Sequence, residues 1–241
     1  MNFEIEKVLL KHQADFHPVV RFDPLSGKIA ALDLSKNNKE ISPETYKTTE
    51  SLASYINYKQ KQAGATYLVG GYKEPREMYR RSVLFDQNLQ AKTAVAEEPR
   101  SIHLGIDIWG PAGTPVYAPL GGMVHSFANN DNHGDYGATI ILQHQLDTVN
   151  FYTLYGHLAI RDIAEMDIGK FITRGQQFAH FGPPAENGNW PPHLHFQVIT
   201  DMLHFEGDYP GVCKPSEAMK FFSLCPDPDY ILKMNKYLAK A

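Results

Sequence analysis

Three short segments of this chain place histidines where they can do chemistry. The first, His103-Leu104-Gly105-Ile106-Asp107, sets an imidazole four residues before a carboxylate. In a straight strand, residues four apart share a face but stand roughly 13 Å from each other, too far for one ion. A helix would bring them together, yet Gly105 and the nearby Gly110-Pro111 argue against a helix. The segment must therefore bend, and Gly105 permits the bend. A bent His-x-x-x-Asp can offer a nitrogen and an oxygen to one metal ion at about 2.0–2.2 Å. The second segment, Pro191-Pro192-His193-Leu194-His195-Phe196, has two histidines at strand spacing, on one face and roughly 6.6 Å apart. One can bind metal while the other faces a substrate. The plainer alternative is an exposed sheet face, but two buried imidazoles each bring a polar nitrogen that must be satisfied. The third segment, Leu154-Tyr155-Gly156-His157-Leu158, adds a histidine where a strand ends.

Alone, His-x-x-x-Asp is a weak signal in a chain with 11 histidines. Together the segments supply two histidines and one carboxylate as ligands, with two histidines to spare. Three protein ligands leave a fourth position for water, the catalytic form of a zinc site rather than the closed structural form. The metal acidifies that water and polarises a carbonyl. A spare histidine can take the water's proton, and another can steady the oxyanion or protonate a leaving amine. The remaining histidines need no such role: His12, His17 and His204 lie in polar surroundings, His133 in a polar loop, and His125, His144 and His180 within strand-like runs. A His-Glu-x-x-His helix, a Gly-x-Ser-x-Gly elbow, a P-loop and a Gly-x-Gly-x-x-Gly turn are all missing from the sequence.

The elements that must hold these residues are mostly strands. From Tyr67 onward, short runs rich in β-branched and aromatic residues alternate with Gly, Pro, Asn and Asp. The runs are 115–118, 123–127, 138–142, 149–154, 177–181 and 193–199, which indicates an antiparallel all-β unit over residues 66–210, with its core at 99–201. Residues 1–65 read as an N-terminal segment. It has a short helical pattern at Ile5, Val8 and Leu9, then a hairpin of Val19–Phe22 and Lys28–Leu32 around the turn 23–27. A helix follows, with Ser42 as its cap, Pro43 at its first position and Gly64 at its end. The tail 211–241 is expected to be helical over Glu217–Phe222 and Asp229–Leu238. The fold expected is mainly β, α+β overall.

The bulk numbers bound the function. With 43% hydrophobic and 21% charged residues, 241 residues can build a core without staples. A net charge of −4 and the lack of a basic block make nucleic acid and anionic membranes poor partners. Cys213 and Cys225 form no disulfide framework and no zinc knuckle, and read as ordinary thiols of a reducing compartment. No apolar run is long enough for a transmembrane helix, and Met1–Lys7 has no export-signal pattern, so a cytoplasmic location is expected.

His103–Asp107 (HLGID), the following Pro111–Pro119, the YGHL around His157 and the HLHFQ of residues 193–197 resemble, in order, the lysostaphin/LytM-type zinc metallopeptidases. The resemblance covers about residues 99–201 and implies the duplicated hybrid motif, a twisted antiparallel sheet with its site in a groove. It implies that His103, Asp107 and His195 bind one zinc ion, and that His157 and His193 are the catalytic pair. It also implies hydrolysis of an amide in a peptide or peptidoglycan-like substrate. Where family members have a small-residue run before HLH, this chain has Glu186–Pro192, a bulkier rim that includes Asn187 and Trp190. Those two residues, with Tyr72, Arg76 and Tyr79 upstream, are candidates for the walls of a substrate groove. The wider chain, including the PPHLHFQ of residues 191–197 and Cys225-Pro226-Asp227-Pro228, also resembles a peptidase-like module fused to kinase-like and aminotransferase-like domains in some bacterial proteins, which implies an intracellular small-molecule role.

Overall fold

The computed structural model describes residues 3–23, 28–86 and 98–238. Among them, the main sheet has eight strands in the order β1-β2-β4-β11-β8-β7-β6-β9. These are β1 (Ile29–Ala31), β2 (Tyr67–Gly70), β4 (Ile106–Trp109), β6 (Gly122–Asn130), β7 (Gly137–Leu146), β8 (Val149–Leu158), β9 (Phe171–Ile172) and β11 (His193–Ile199). Two small sheets flank it. One pairs β5 (Pro115–Tyr117) with β10 (Gln177–His180), and the other pairs β3 (Ile102–His103) with β12 (Val212–Cys213). The long meander β6-β7-β8 is antiparallel, with register shifts at Val124/Ser126 and Ala138/Ile140. Such bulges add local twist.

Strand alternation decides which side chains reach the site. Leu194, Phe196 and Val198 of β11, with Ile106 and Ile108 of β4, are buried in the main core. Side chains point alternately to the two faces of a strand. His193, His195 and Gln197, and likewise Asp107 and Trp109, therefore face the other side.

The N-terminal segment differs from the sequence expectation. Val19 and Val20 form no strand, and no hairpin pairs them with Ile29–Ala31; the turn residues 24–27 lie outside the described residues. Instead, Val19 and Val20 are buried in the main core, and the Val19 carbonyl accepts a hydrogen bond from Tyr117 N. β1 pairs in parallel with β2, across the connection made by α2 (Thr49–Ala63). A parallel pair needs such a crossover. The helix α2 also starts later than the Ser42 reading. Ser42 and Thr45 close a turn on each other, and Thr48 is the true cap: it accepts from Ser51 N while Ser51 Oγ accepts from Thr48 N. Gly64 ends the helix in the left-handed conformation, φ 58°, as its position in the sequence suggests.

At the other end the tail is helical in shorter pieces than expected. After the short α3 (Ile160–Ala164) that follows β8, the pieces are α4 (Ala218–Leu224), α5 (Asp229–Leu232) and a 3-10 turn at Asn235–Tyr237. Lys233 adopts φ 55° and stops α5, and Asp229 Oδ1 accepts from Met234 N and Asn235 N. Ile231, Leu232 and Met234 join Ile5 and Leu9 of α1 (Phe3–Lys11) in the main core. Among the described residues no helix is long and apolar enough to cross a membrane.

Candidate metal centre and active site

β11 lies between β4 and β8, and its register builds the site. His195 stands across from Asp107 on one side and from Gly156 on the other, and His193 stands across from Trp109. His103 comes from outside this sheet. The chain leaves β3, bends at Leu104-Gly105 and enters β4. Gly105 is needed for packing as well as for the bend, since a Cβ there would stand 2.5 Å from His195 Cε1.

The three donor atoms form a near-equilateral triangle. His103 Nε2 lies 2.9 Å from His195 Nδ1 and 3.3 Å from Asp107 Oδ1, and His195 Nδ1 lies 3.2 Å from that oxygen. Ligands at about 2.0–2.1 Å around a tetrahedral ion stand roughly 3.3 Å from one another. The protonation pattern also fits a cation. Gln197 Nε2 donates to the Pro210 carbonyl, which turns Gln197 Oε1 towards His195 Nε2 at 2.9 Å. That ring must therefore donate from Nε2 and present a lone pair at Nδ1. His103 Nδ1 donates to the Gly71 carbonyl at 3.0 Å, which leaves a lone pair on its Nε2. Two lone pairs 2.9 Å apart repel each other, and a shared cation removes the repulsion. His103, Asp107 and His195 are all buried. Burial, with the charge of Arg76, pushes the His103 pKa down to about 3, so the ring is neutral, as a ligand must be. Burial works against ionisation of Asp107, but the charged Arg76 guanidinium beside it favours the carboxylate and holds the group well below its usual range.

The other two histidines share the cavity without joining the triangle. His193 Nε2 is 3.9 Å from Asp107 Oδ1, its Nδ1 donates to the Pro191 carbonyl, and its ring stacks on Trp109 with centroids 3.8 Å apart. His157, one residue before the end of β8, adopts φ 65°, in the left-handed region that suits few side chains. Three contacts hold it there: its N donates to the Tyr136 carbonyl, its carbonyl accepts from Gly182 N, and its Nδ1 donates to the Asn187 carbonyl. The two rings lie 4.1 Å apart. Burial pushes the His193 pKa down to about 4 and, reinforced by His193, holds that of His157 well below its usual value.

All five histidine and aspartate candidates thus line one cavity of about 240 Å³, whose walls include Tyr79, Phe85, Tyr136, Trp190 and Phe205. Of the proposed groove residues, Arg76, Tyr79 and Trp190 line it too, and Tyr72 and Asn187 do not. The Tyr72 hydroxyl donates to the Cys225 carbonyl. Asn187 is a brace: its Oδ1 accepts from Trp190 N, its Nδ2 donates to the Gly182 carbonyl, and its own carbonyl orients His157. Sequence reasoning missed Gln197, Trp109 and Tyr136. Gln197 and Trp109 were findable, because each lies two residues along its strand from a candidate ligand and so shares its face. Tyr136, whose hydroxyl is 3.4 Å from His195 Nε2, comes from a loop and carried no local signal.

No curated protein matches the chain. Among solved structures, it is similar to a zinc-containing peptidase from Vibrio cholerae at 29% identity, TM-score 0.32, over 41% of this chain and 27% of that one. It is also similar to the catalytic domain of the antimicrobial peptidase lysostaphin from Staphylococcus simulans, at 19% identity, TM-score 0.37, over 70% of this chain and 97% of that one. A third likeness is to the catalytic domain of the prophage-encoded M23 protein EnpA from Enterococcus faecalis, at 19% identity, TM-score 0.34, over 51% and 85%. The chain thus spans about a quarter of the length of the Vibrio protein. The model of Peptidase family M23 matches residues 101–206, the stretch that holds His103, Asp107, His157, His193 and His195. The similarity to peptidase family M23 thus falls on residues 101–206, the stretch whose motifs resemble the lysostaphin/LytM type.

Proposed function

We propose that the protein is a zinc-dependent peptidase or amidase that hydrolyses an amide bond in a short peptide-like substrate. The donor triangle of His103, Asp107 and His195 carries the reading, because its two facing lone pairs and one carboxylate make a three-ligand set. When bound there, zinc supplies a Lewis acid that polarises the scissile carbonyl and acidifies a water. The protein supplies the proton transfers. His157 and His193 each donate Nδ1–H to a backbone carbonyl, so each presents Nε2 as the free base. Either Nε2 can take the proton of the attacking water, and the imidazolium so formed delivers that proton to the leaving amine. The Trp109 ring fixes the plane of His193, and the Asn187 carbonyl fixes that of His157.

One observation favours a short soluble substrate over a long polymer. His193 is 3% exposed and His157 6%, inside an aromatic cavity of about 240 Å³. A small amide or short peptide fits such a space better than a cross-linked strand that must thread it.

The test is a cleavage screen with the zinc-loaded protein. Short soluble peptides and small amides would be followed by mass spectrometry, beside turbidity clearing of purified cell walls. Cleavage of small substrates that stops on chelation is expected. Brisk lysis of intact walls with no preference for small substrates would overturn the size reading. Activity on neither, with zinc bound, would overturn catalysis and leave a binding scaffold.

A further inference from the structure

The ligands are held from outside the matched family segment. Arg76 lies upstream of residue 101, yet its guanidinium is buried against Asp107, with Nη1 2.6 Å from Oδ2. The same Nη1 donates to the Tyr79 hydroxyl at 2.9 Å, and Nε donates to Glu74 Oε2 at 2.5 Å. Glu74 is tied down in turn by Leu34 N. Five residues before Arg76 stands Gly71, whose carbonyl accepts from Glu74 N and fixes the His103 tautomer. Gly71 has φ 114°, and a Cβ on it would stand 1.9 Å from Arg76 Nη2 and 3.0 Å from His103 Nδ1. Only glycine leaves space there for the guanidinium and the imidazole together.

The consequence is a constraint on Asp107. Its Oδ2 is occupied by a charged, forked donor that is itself held at two other points. Only Oδ1 faces the two histidine nitrogens. The Glu74–Arg76–Asp107 chain sets two carboxylates against one guanidinium, so negative charge is in excess beside the donor triangle.

We propose that Arg76 is the positioning residue for Asp107: it forces the carboxylate to give the metal one oxygen, and the segment Gly71–Tyr79 is the outer shell of the metal centre. This inference rests on the metal reading above. Outer-shell partners of metal ligands typically contribute 10–100-fold to metal affinity.

The test uses the full chain and two readouts other than turnover: zinc affinity by chelator competition, and the visible spectrum of the Co²⁺-substituted protein. Wild type is expected to give the intense absorption of a four-coordinate site. Arg76→Met is expected to bind zinc 10–100-fold more weakly. Its Co²⁺ absorption should weaken as the freed carboxylate chelates and coordination number rises. A folded Arg76→Met protein with wild-type zinc affinity and spectrum would overturn the inference and leave the metal reading intact. Failure of wild type to bind either ion would overturn both. Should Arg76→Met fail to fold, a crystal structure of the zinc-loaded wild type decides: one Asp107 oxygen on the metal supports the inference, and two oxygens on it, with Arg76 displaced from Oδ2, overturn it.

Discussion

His103 and His195 confront each other through nitrogens that both lack a proton, because Gly71 and Gln197 take the hydrogens on the far sides of the rings. His193 and His157 also spend their Nδ1–H on backbone carbonyls, but they stand outside the triangle. This difference sorts the five residues by experiment. Replacing His103, Asp107 or His195 by alanine removes one of three donors, and zinc measured by elemental analysis should fall from about one ion per chain to a small fraction. His193→Ala and His157→Ala should keep their zinc and lose turnover by about 10²–10⁴-fold, the usual contribution of a positioned acid or base. Full zinc in Asp107→Ala, or metal loss in His193→Ala equal to that in His195→Ala, would show the roles to be misassigned.

One break between elements sets the ligand geometry. β3 belongs to one sheet and β4 to another, and the two residues between them carry His103 round to Asp107. Gly105 sits at that corner against the His195 ring and the Phe196 carbonyl. Gly105→Ala should therefore push the His195 ring off its donor position. Overpacking of this kind costs typically about 1–3 kcal/mol of stability. It should also weaken zinc binding more than the equally small change Gly113→Ala, where a Cβ meets nothing within 4 Å but the positive φ of 81° strains the backbone. Equal zinc affinity in the two variants would mean that the corner does not set the ligand geometry.

For the whole molecule, pH acts through buried imidazoles remote from the site as well as within it. His144 on β7 is buried, hydrogen-bonded through Nε2 to Thr153 Oγ1 and through Nδ1 to the Gly121 carbonyl. Burial pushes its pKa down to about 4 from the usual 6.5. The unfolded chain thus takes up a proton at this residue before the folded chain does. The sign follows: its contribution is fully present above pH 6.5, declines as pH falls towards 4, and levels off below that. Across the whole window the loss amounts to about 3 kcal/mol for this residue. Denaturant unfolding of the zinc-free protein at pH 7 and pH 4.5 should show a smaller loss in His144→Gln than in wild type. Identical losses would show that His144 is not held neutral by the fold.

What the sequence by itself determined is local. Alternation in 193–199 placed two histidines on one face, Gly105 marked the bend between His103 and Asp107, and runs of β-branched and aromatic residues marked the strands of the meander. These readings succeed because strand period and glycine freedom are properties of a few adjacent residues. The tertiary structure decided everything that depends on residues far apart in the chain. Val19–Phe22 and Ile29–Ala31 look like a hairpin locally, but burial of Val19 and Val20 in the main core and the crossover of α2 give β1 a parallel partner instead. Arg76 reads in sequence as a candidate groove-wall residue, and its burial against Asp107, 31 positions later, exists only once β2 and β4 pair. A turn or a strand face is dictated by neighbours in sequence, whereas a buried charge finds its partner only where the whole sheet has closed around it.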